Sequence, residues 1–233
     1  MTTITLHGKA GCLHTTLCAI ALDNCKIDYN LVLHDKKSLF KSVKKLNPLV
    51  TVPVLETEHG PICESFAILR WAGRQNEALY PSEKRTEIDD WLDTIQNEIC
   101  SRLDLVLFPV YGCTDKRFKI DKDDLEDNIK KLRKVAKHFH RSLRKKRFLV
   151  GDSLTLADLA LTVYIDKFFR FLVKRRKQND YDHLLDYLVA NLNETEVFKP
   201  FLRPFVQSKE KFPVFKFDLK AEEKKKQEEK KRK

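Results

Sequence analysis

Glycine is scarce, with six in 233 residues. Few positions can take the left-handed backbone that tight hairpins need, so a mostly helical body is expected. Neither a Gly-rich phosphate loop nor a dinucleotide fingerprint occurs, which excludes those nucleotide-binding modes. The six cysteines, at 12, 18, 25, 63, 100 and 113, never form a CxxC pair. That removes the thioredoxin-type redox motif and the usual zinc modules. The histidines, at 7, 14, 34, 59, 138, 140 and 183, show no HExxH or comparable spacing. No metal is expected from local pattern, and His138 and His140, two apart on a helix, face different ways. Apolar runs are too short to cross a bilayer. With no signal-like segment at the start, reduced thiols and a cytoplasmic location are expected.

What the chain has in excess is positive charge. Forty-five Lys and Arg against 34 Asp and Glu give a net charge of +11. Such a surface favours acidic partners: RNA, an acidic protein or an anionic surface. Part of the excess lies in the last fourteen residues, "KAEEKKKQEEKKRK", with eight Lys/Arg and four Glu. Those residues are nearly devoid of apolar side chains, so they read as solvated linker.

The first part alternates element types. "TITLHG" (3–8) and "DYNLVLHD" (28–35) read as strands, and "HTTLCAIALDNC" (14–25) as a helix with Leu17, Ala21 and Leu22 on one side. Ser38 to Lys45 reads as a short amphipathic helix, and "TVPVLETEHGPICES" as a hairpin. Ser65 is expected to cap a helix running to about Arg74. Pro53 is the odd residue here, because proline offers no N–H to a sheet.

After "ALYPSEKR" (78–85) the pattern turns helical. Residues 86–108 carry Ile88, Trp91, Leu92, Ile95, Ile99 and Leu103 on one stripe. A second long helix is expected over 121–147, with acids at its start and bases at its end, as the helix dipole favours. Residues 155–173 are apolar nearly all round and read as a buried central helix. Thr155 and Asp158 have the spacing of a capping box at its start. Two closing helices are expected over 181–195 and 196–206. The expected division is an α/β domain over 1–77, a linker over 78–85, an all-α domain over 86–206, and an extension with the Lys/Glu-rich tail over 207–233.

Three segments in order, "TVPVLE", "ESFAILRWAG" and "FLVGDSLTLADLAL", resemble the glutathione transferase family. The resemblance implies a thioredoxin-like α/β domain followed by an all-α domain. "DYLVANLNETEVFKPFLRPFVQSKEKFPVFKFDLK" with its Lys/Glu-rich tail is similar to the transferase-like domain of the elongation factor 1B gamma family. A related module stands in valyl-tRNA synthetase and in synthetase complexes. The gamma family continues into a second domain beyond such a linker, and this chain stops inside it.

The resemblance implies a site. Pro53 would be cis and would free the Val52 backbone for the cysteinyl part of glutathione, while Glu64 and Ser65 would hold the γ-glutamyl end. The same residues also read as fold determinants alone, Pro53 as a kink and Ser65 as a cap. Transferases place a Tyr, Ser or Cys near the start of the first helix to supply or activate a thiol. Here "HGKAGCLHTTLC" has no Tyr. Cys12 is the candidate, with Lys9 and His14 nearby and Thr15 and Thr16 as weaker alternatives. It also reads as an ordinary loop residue.

A basic run lies at Lys130, Lys131, Arg133, Lys134, Lys137, Arg141, Arg144, Lys145, Lys146 and Arg147, with "KRRK" (174–177) beyond it. It reads as a solvated face or as a dock for RNA, the ribosome or an acidic protein. Without interleaved aromatics it does not read as a base-specific surface.

Two functions remain open. One is a non-catalytic scaffold of the elongation factor 1B gamma type, or a synthetase-complex module, with other subunits or synthetases as partners. The other is an active transferase with glutathione as substrate. No cofactor is required by either. Homodimerisation through the first domain and the 85–108 helix follows by family analogy.

Overall fold

The computed structural model describes residues 4–35, 38–107 and 121–205. The tail from 206 onward and the segment 108–120 lie outside the described residues, and so does the expected end of the 86–108 helix at Phe108.

The first part is a four-stranded mixed sheet in the order β2-β1-β3-β4. Strand β1 (Thr5–Gly8) runs parallel to β2 (Asn30–Leu33) and antiparallel to β3 (Val54–Thr57), which pairs with β4 (Gly60–Ile62). Helix α1 (Leu13–Asn24) is the crossover between β1 and β2. Leu17, Cys18, Ile20, Ala21 and Leu22 are all fully buried, so α1 is wrapped on several sides rather than resting on the sheet with one face. Gly8 lets α1 come close, because a Cβ there would lie 2.2 Å from Thr15 Cγ2. The helix expected at 38–45 is only a wide turn, Leu39–Val43.

The loop before β3 is pinned by Asn47, which is 3% exposed. Its amide donates to Thr51 Oγ1 at 2.8 Å, and its carbonyl oxygen accepts from the Leu49 N–H at 3.0 Å. The Val52–Pro53 peptide is cis. Pro53 enters at the rim of the sheet, one residue before β3, where no ladder N–H is needed. Helix α2 (Ser65–Gly73) follows β4. Glu64, not Ser65, stands at its cap position and makes no side-chain capping bond; Ser65 is the first helical residue.

The second part is helical. Helix α3 (Arg85–Thr94) passes through a π-type turn, Ile95–Cys100, into α4 (Ser101–Leu107). One uninterrupted helix was expected here. The wide turn adds residues to the ring and advances the buried face, so that Ile95, Ile99 and Leu103 stay inside while Cys100 joins them. Helix α5 (Lys122–Ser142) buries Leu125, Leu132, Ala136 and Phe139. Asp121 caps it, accepting from the Asp123 N–H at 3.2 Å.

Helix α6 (Leu156–Lys167) is buried at every residue but Lys167. A helix this apolar must be surrounded. It packs on α1, α2, α3 and α7 (Asp182–Glu194). Gly73 at the end of α2 admits Leu156, since a Cβ there would sit 2.4 Å from Leu156 Cδ1. The helix expected over 196–206 is a single 3-10 turn, Glu196–Phe198. Pro200 and Pro204 remove the backbone donors that a continuing helix would need. One hydrophobic core runs through both parts, from Leu6 to Phe205.

Thr155 and Asp158 form a capping box at the start of α6. The Asp158 carboxylate accepts from the N–H groups of Leu149 and Thr155, both at 2.9 Å, from the Thr155 hydroxyl at 2.8 Å and from the Tyr187 hydroxyl at 2.9 Å. Burial pushes its pKa up, and these four donors oppose the shift. Asp158→Ala is therefore expected to cost about 3 kcal/mol in urea unfolding of the full chain, because the donors stay buried without an acceptor. A cost below about 1 kcal/mol would show that the cap is replaceable.

Candidate functional site at the domain junction

The register Leu55↔Ile62, continued backwards, carries Pro53 and Val52 alongside Glu64 and Ser65. The hairpin thus gathers these four residues at one end of the sheet, at the start of α2. Glu64 is exposed and Ser65 is 5% exposed. The Ser65 hydroxyl points into the protein, and its oxygen lies 3.1 Å from His14 Nδ1.

His14 is the second residue of α1, and its ring gathers the site. Nε2 lies 2.8 Å from Asp104 Oδ2, and Nδ1 lies 3.2 Å from the Tyr164 hydroxyl. Cys100 Sγ is 3.9 Å from Nε2 and donates towards Asp104 Oδ2 at 3.7 Å. The side chains of His14 and Asp104 are 20% and 17% exposed. Tyr164, fully buried, stacks on Phe66 with ring centroids 6.2 Å apart. Five elements therefore meet: α1, α2, the π-type turn, α4 and α6. Burial opposes charge on His14, but the bonds to Asp104 and Cys100 outweigh it, and its pKa rises to about 11. His14 is an imidazolium held against a carboxylate.

This changes the surroundings read for Cys12. Cys12 is half-buried at the N-cap of α1 and makes no side-chain capping bond. His14, expected to assist it, is committed to Ser65, Tyr164 and Asp104 instead. Thr15 is 5% exposed, and its hydroxyl oxygen accepts from the Lys9 N–H at 3.2 Å. Thr16 donates to the Cys12 carbonyl at 3.1 Å. Both threonines hold the turn that starts α1.

Local spacing gave no hint of Cys100 or Asp104 as neighbours of His14, because they lie 86 and 90 residues away in the chain. A signal was present, however. Asp104 interrupts the apolar run "LDLVLF", and Tyr164 brings a hydroxyl into a buried helix, as do Asp158, Thr162 and Asp166 with their own polar groups. Buried polar groups need partners, and Asp104 and Tyr164 partner each other through His14.

The basic run lies on α5 and in the residues just beyond it. All ten are exposed: Lys130, Lys131, Arg133, Lys134, Lys137 and Arg141 on α5 away from its buried stripe, and Arg144, Lys145, Lys146 and Arg147 in the turn that follows it. Lys131 pairs with Asp127 at 2.6 Å. Arg147 donates to Asn191 Oδ1 at 2.5 Å and covers the Phe148 ring. Lys174 and Lys177 are exposed too, while the side chains of 175 and 176 lie outside the described residues.

A mixed sheet with its α1 crossover, joined through a buried α6 to a helical domain, is the architecture of glutathione transferases. The profile of the glutathione S-transferase N-terminal domain matches residues 6–79, and that of the C-terminal domain matches residues 103–194. Glutathione S-transferase 1 of Zea mays is 31% identical over 172 residues, covering 68% of this chain and 78% of that protein. The chain belongs to the glutathione transferase family. Elongation factor 1-gamma 2 of Oryza sativa subsp. japonica is 26% identical over 218 residues, 91% of this chain and 51% of that protein. Valine--tRNA ligase of Takifugu rubripes is 25% identical over 118 residues, 51% of this chain and 9% of that protein. The chain thus spans about half or less of these two translation proteins. Among solved structures, glutathione S-transferase I from mais in complex with an atrazine glutathione conjugate has a TM-score of 0.71 at 26% identity, covering 85% of this chain and 96% of that one. Poplar glutathione transferase F1 shares the fold, with a TM-score of 0.73 at 20% identity over 86% of this chain and 96% of that one.

The burial of Ser65 predicts its energetics. Ser65→Ala and Tyr164→Phe are each expected to lose about 1.5 kcal/mol in urea unfolding, as hydrogen-bond partners of a partly buried charged ring. A Ser65→Ala variant as stable as the parent would mean that the hydroxyl faces solvent instead.

Proposed function

We propose that this chain is a transferase-like scaffold of the elongation factor 1B gamma type. In this reading it performs no conjugation, and it anchors the nucleotide-exchange subunits that serve elongation factor 1A. The observation that carries the reading is Ser65. A transferase would turn this hydroxyl to the γ-glutamyl end of glutathione, whereas here it is 5% exposed and bonded to His14. Similarity to an elongation factor 1-gamma over 91% of the chain supports the same reading. So does the exposed basic face of α5, which suits acidic subunits or RNA. No helix among the described residues is long and apolar enough to cross a membrane. A cytoplasmic site of action accords with the proposed partners.

The second reading, an active transferase with glutathione as substrate, is favoured by one feature. Cys12 stands half-buried at the N-terminus of α1, the position at which the resemblance places the thiol. The two readings separate experimentally. Affinity capture from native cytosol is expected to recover exchange-factor subunits, while glutathione-agarose fails to retain the protein and chlorodinitrobenzene is not conjugated. Robust conjugation, abolished by Cys12→Ala, would replace the scaffold with an enzyme. Recovery of synthetases alone would move the proposal to a synthetase-complex module.

The basic face makes a separate prediction. Reversing Lys134 and Lys137 to Glu is expected to weaken RNA or acidic-partner binding at low salt, and the parent's affinity should fall steeply as salt rises. An affinity indifferent to salt would mean that the face is merely solvated.

A further inference from the structure

We infer that His14, Cys100 and Asp104 form a binding site for a borderline-soft divalent cation of the zinc class. The three side chains bring one imidazole nitrogen, one thiol sulfur and one carboxylate oxygen within 4.8 Å of one another. Their separations are 2.8 Å for His14 Nε2 to Asp104 Oδ2, 3.9 Å for His14 Nε2 to Cys100 Sγ and 3.7 Å for Cys100 Sγ to Asp104 Oδ2. Tetrahedral zinc with ordinary bond lengths sets such ligand atoms about 3.4–3.6 Å apart. Cys100 Sγ also lies 4.0 Å from His14 Nδ1, beside the ring, so a torsion of Cys100 has to bring the thiol round to the Nε2 side, and the imidazole–carboxylate contact has to open by about half an ångström. Both movements are within the reach of side-chain torsions.

The support around these atoms is that of a metal site. The other nitrogen of His14 is held by Ser65 and Tyr164, at 3.1 and 3.2 Å, which fixes the ring orientation as outer-shell partners do. Cys100 and Asp104 sit one turn apart at the boundary of the π-type turn with α4, an irregularity that aims both side chains at α1. The thiol selects against magnesium and calcium, which prefer all-oxygen ligands. Three protein ligands leave a fourth position, and the partial exposure of His14 and Asp104 leaves it within reach of water or a small ligand.

The exchange balances simply. In the metal-free protein a proton on Nε2 bridges His14 to Asp104. The cation takes the place of that proton and of the thiol proton of Cys100, and both leave to solvent. No redox partner is needed.

A second cluster, His140, Asp182 and His183, serves as the control. Its two imidazoles are stacked with ring centroids 4.8 Å apart and an interplanar angle of 8°, so their lone pairs lie in two separate, nearly parallel planes and one ion cannot sit in both.

The test is titration of the full chain with zinc, and separately with cobalt(II). Expected are one tight equivalent of zinc and a thiolate-to-cobalt charge-transfer band. Cys100→Ser should remove the band and weaken zinc at least about 100-fold while leaving circular dichroism unchanged. Asp104→Asn should weaken zinc similarly, and His183→Ala should change neither signal. Tyr164→Phe, which touches no metal, should cost up to about 10-fold. Absence of the band from the parent protein, retention of tight zinc by a folded Cys100→Ser variant, or its loss on His183→Ala would each overturn the site.

Discussion

The ion pair of His14 with Asp104 is the contact on which the junction of the two domains turns. It joins the second residue of the first helix to a carboxylate 90 residues later, across the boundary between sheet and helical parts. Neither group has a good alternative there. A partly buried imidazolium without its carboxylate, or the reverse, carries a desolvation cost that the remaining partners offset only in part. Ser65 and Tyr164 complete the shell around the ring, so four helices are fixed to one another through one side chain. The surrounding core supplies the bulk of the stability; the polar cluster specifies how the halves meet.

That arrangement also involves the hairpin at the start of α2. The hairpin still delivers Val52, Pro53, Glu64 and Ser65 to one place, and the Val52–Pro53 peptide is cis. Ser65, however, faces inward. Its hydroxyl thereby contributes to assembly of the fold. Pro53 is explained without any ligand, since it lies at the rim of the sheet, where a missing N–H costs nothing. Under the proposed reading architecture and function separate: the fold is that of the glutathione transferase family, and the work lies on its surfaces.

Much of this was legible in the sequence. Period-two and period-3.6 patterns located the strands, the long helices and the buried α6, and the Thr155–Asp158 spacing marked its start. Besides the wide turn at Leu39–Val43 and the cap at Glu64, two longer elements were misread for definite reasons. The helix expected over 196–206 is broken by Pro200 and Pro204, a local rule outweighed in the reading by apolar periodicity. The single helix expected over 86–108 hides a π-type turn, which apolar spacing does not reveal, because Ile95, Ile99 and Leu103 remain buried through it. The His14 cluster was invisible for another reason. Ligand and ion-pair partners far apart in the chain leave no spacing to read; only the polar residues stranded in apolar runs hinted at it.

The most direct measurement is a double-mutant cycle on His14→Ala and Asp104→Ala, read by urea unfolding of the full chain. If the pair organises the junction, the two losses will be strongly non-additive, with a coupling of about 1–3 kcal/mol. Additive losses, within about 0.3 kcal/mol, would show that the two side chains act independently and that the junction is held by apolar packing alone.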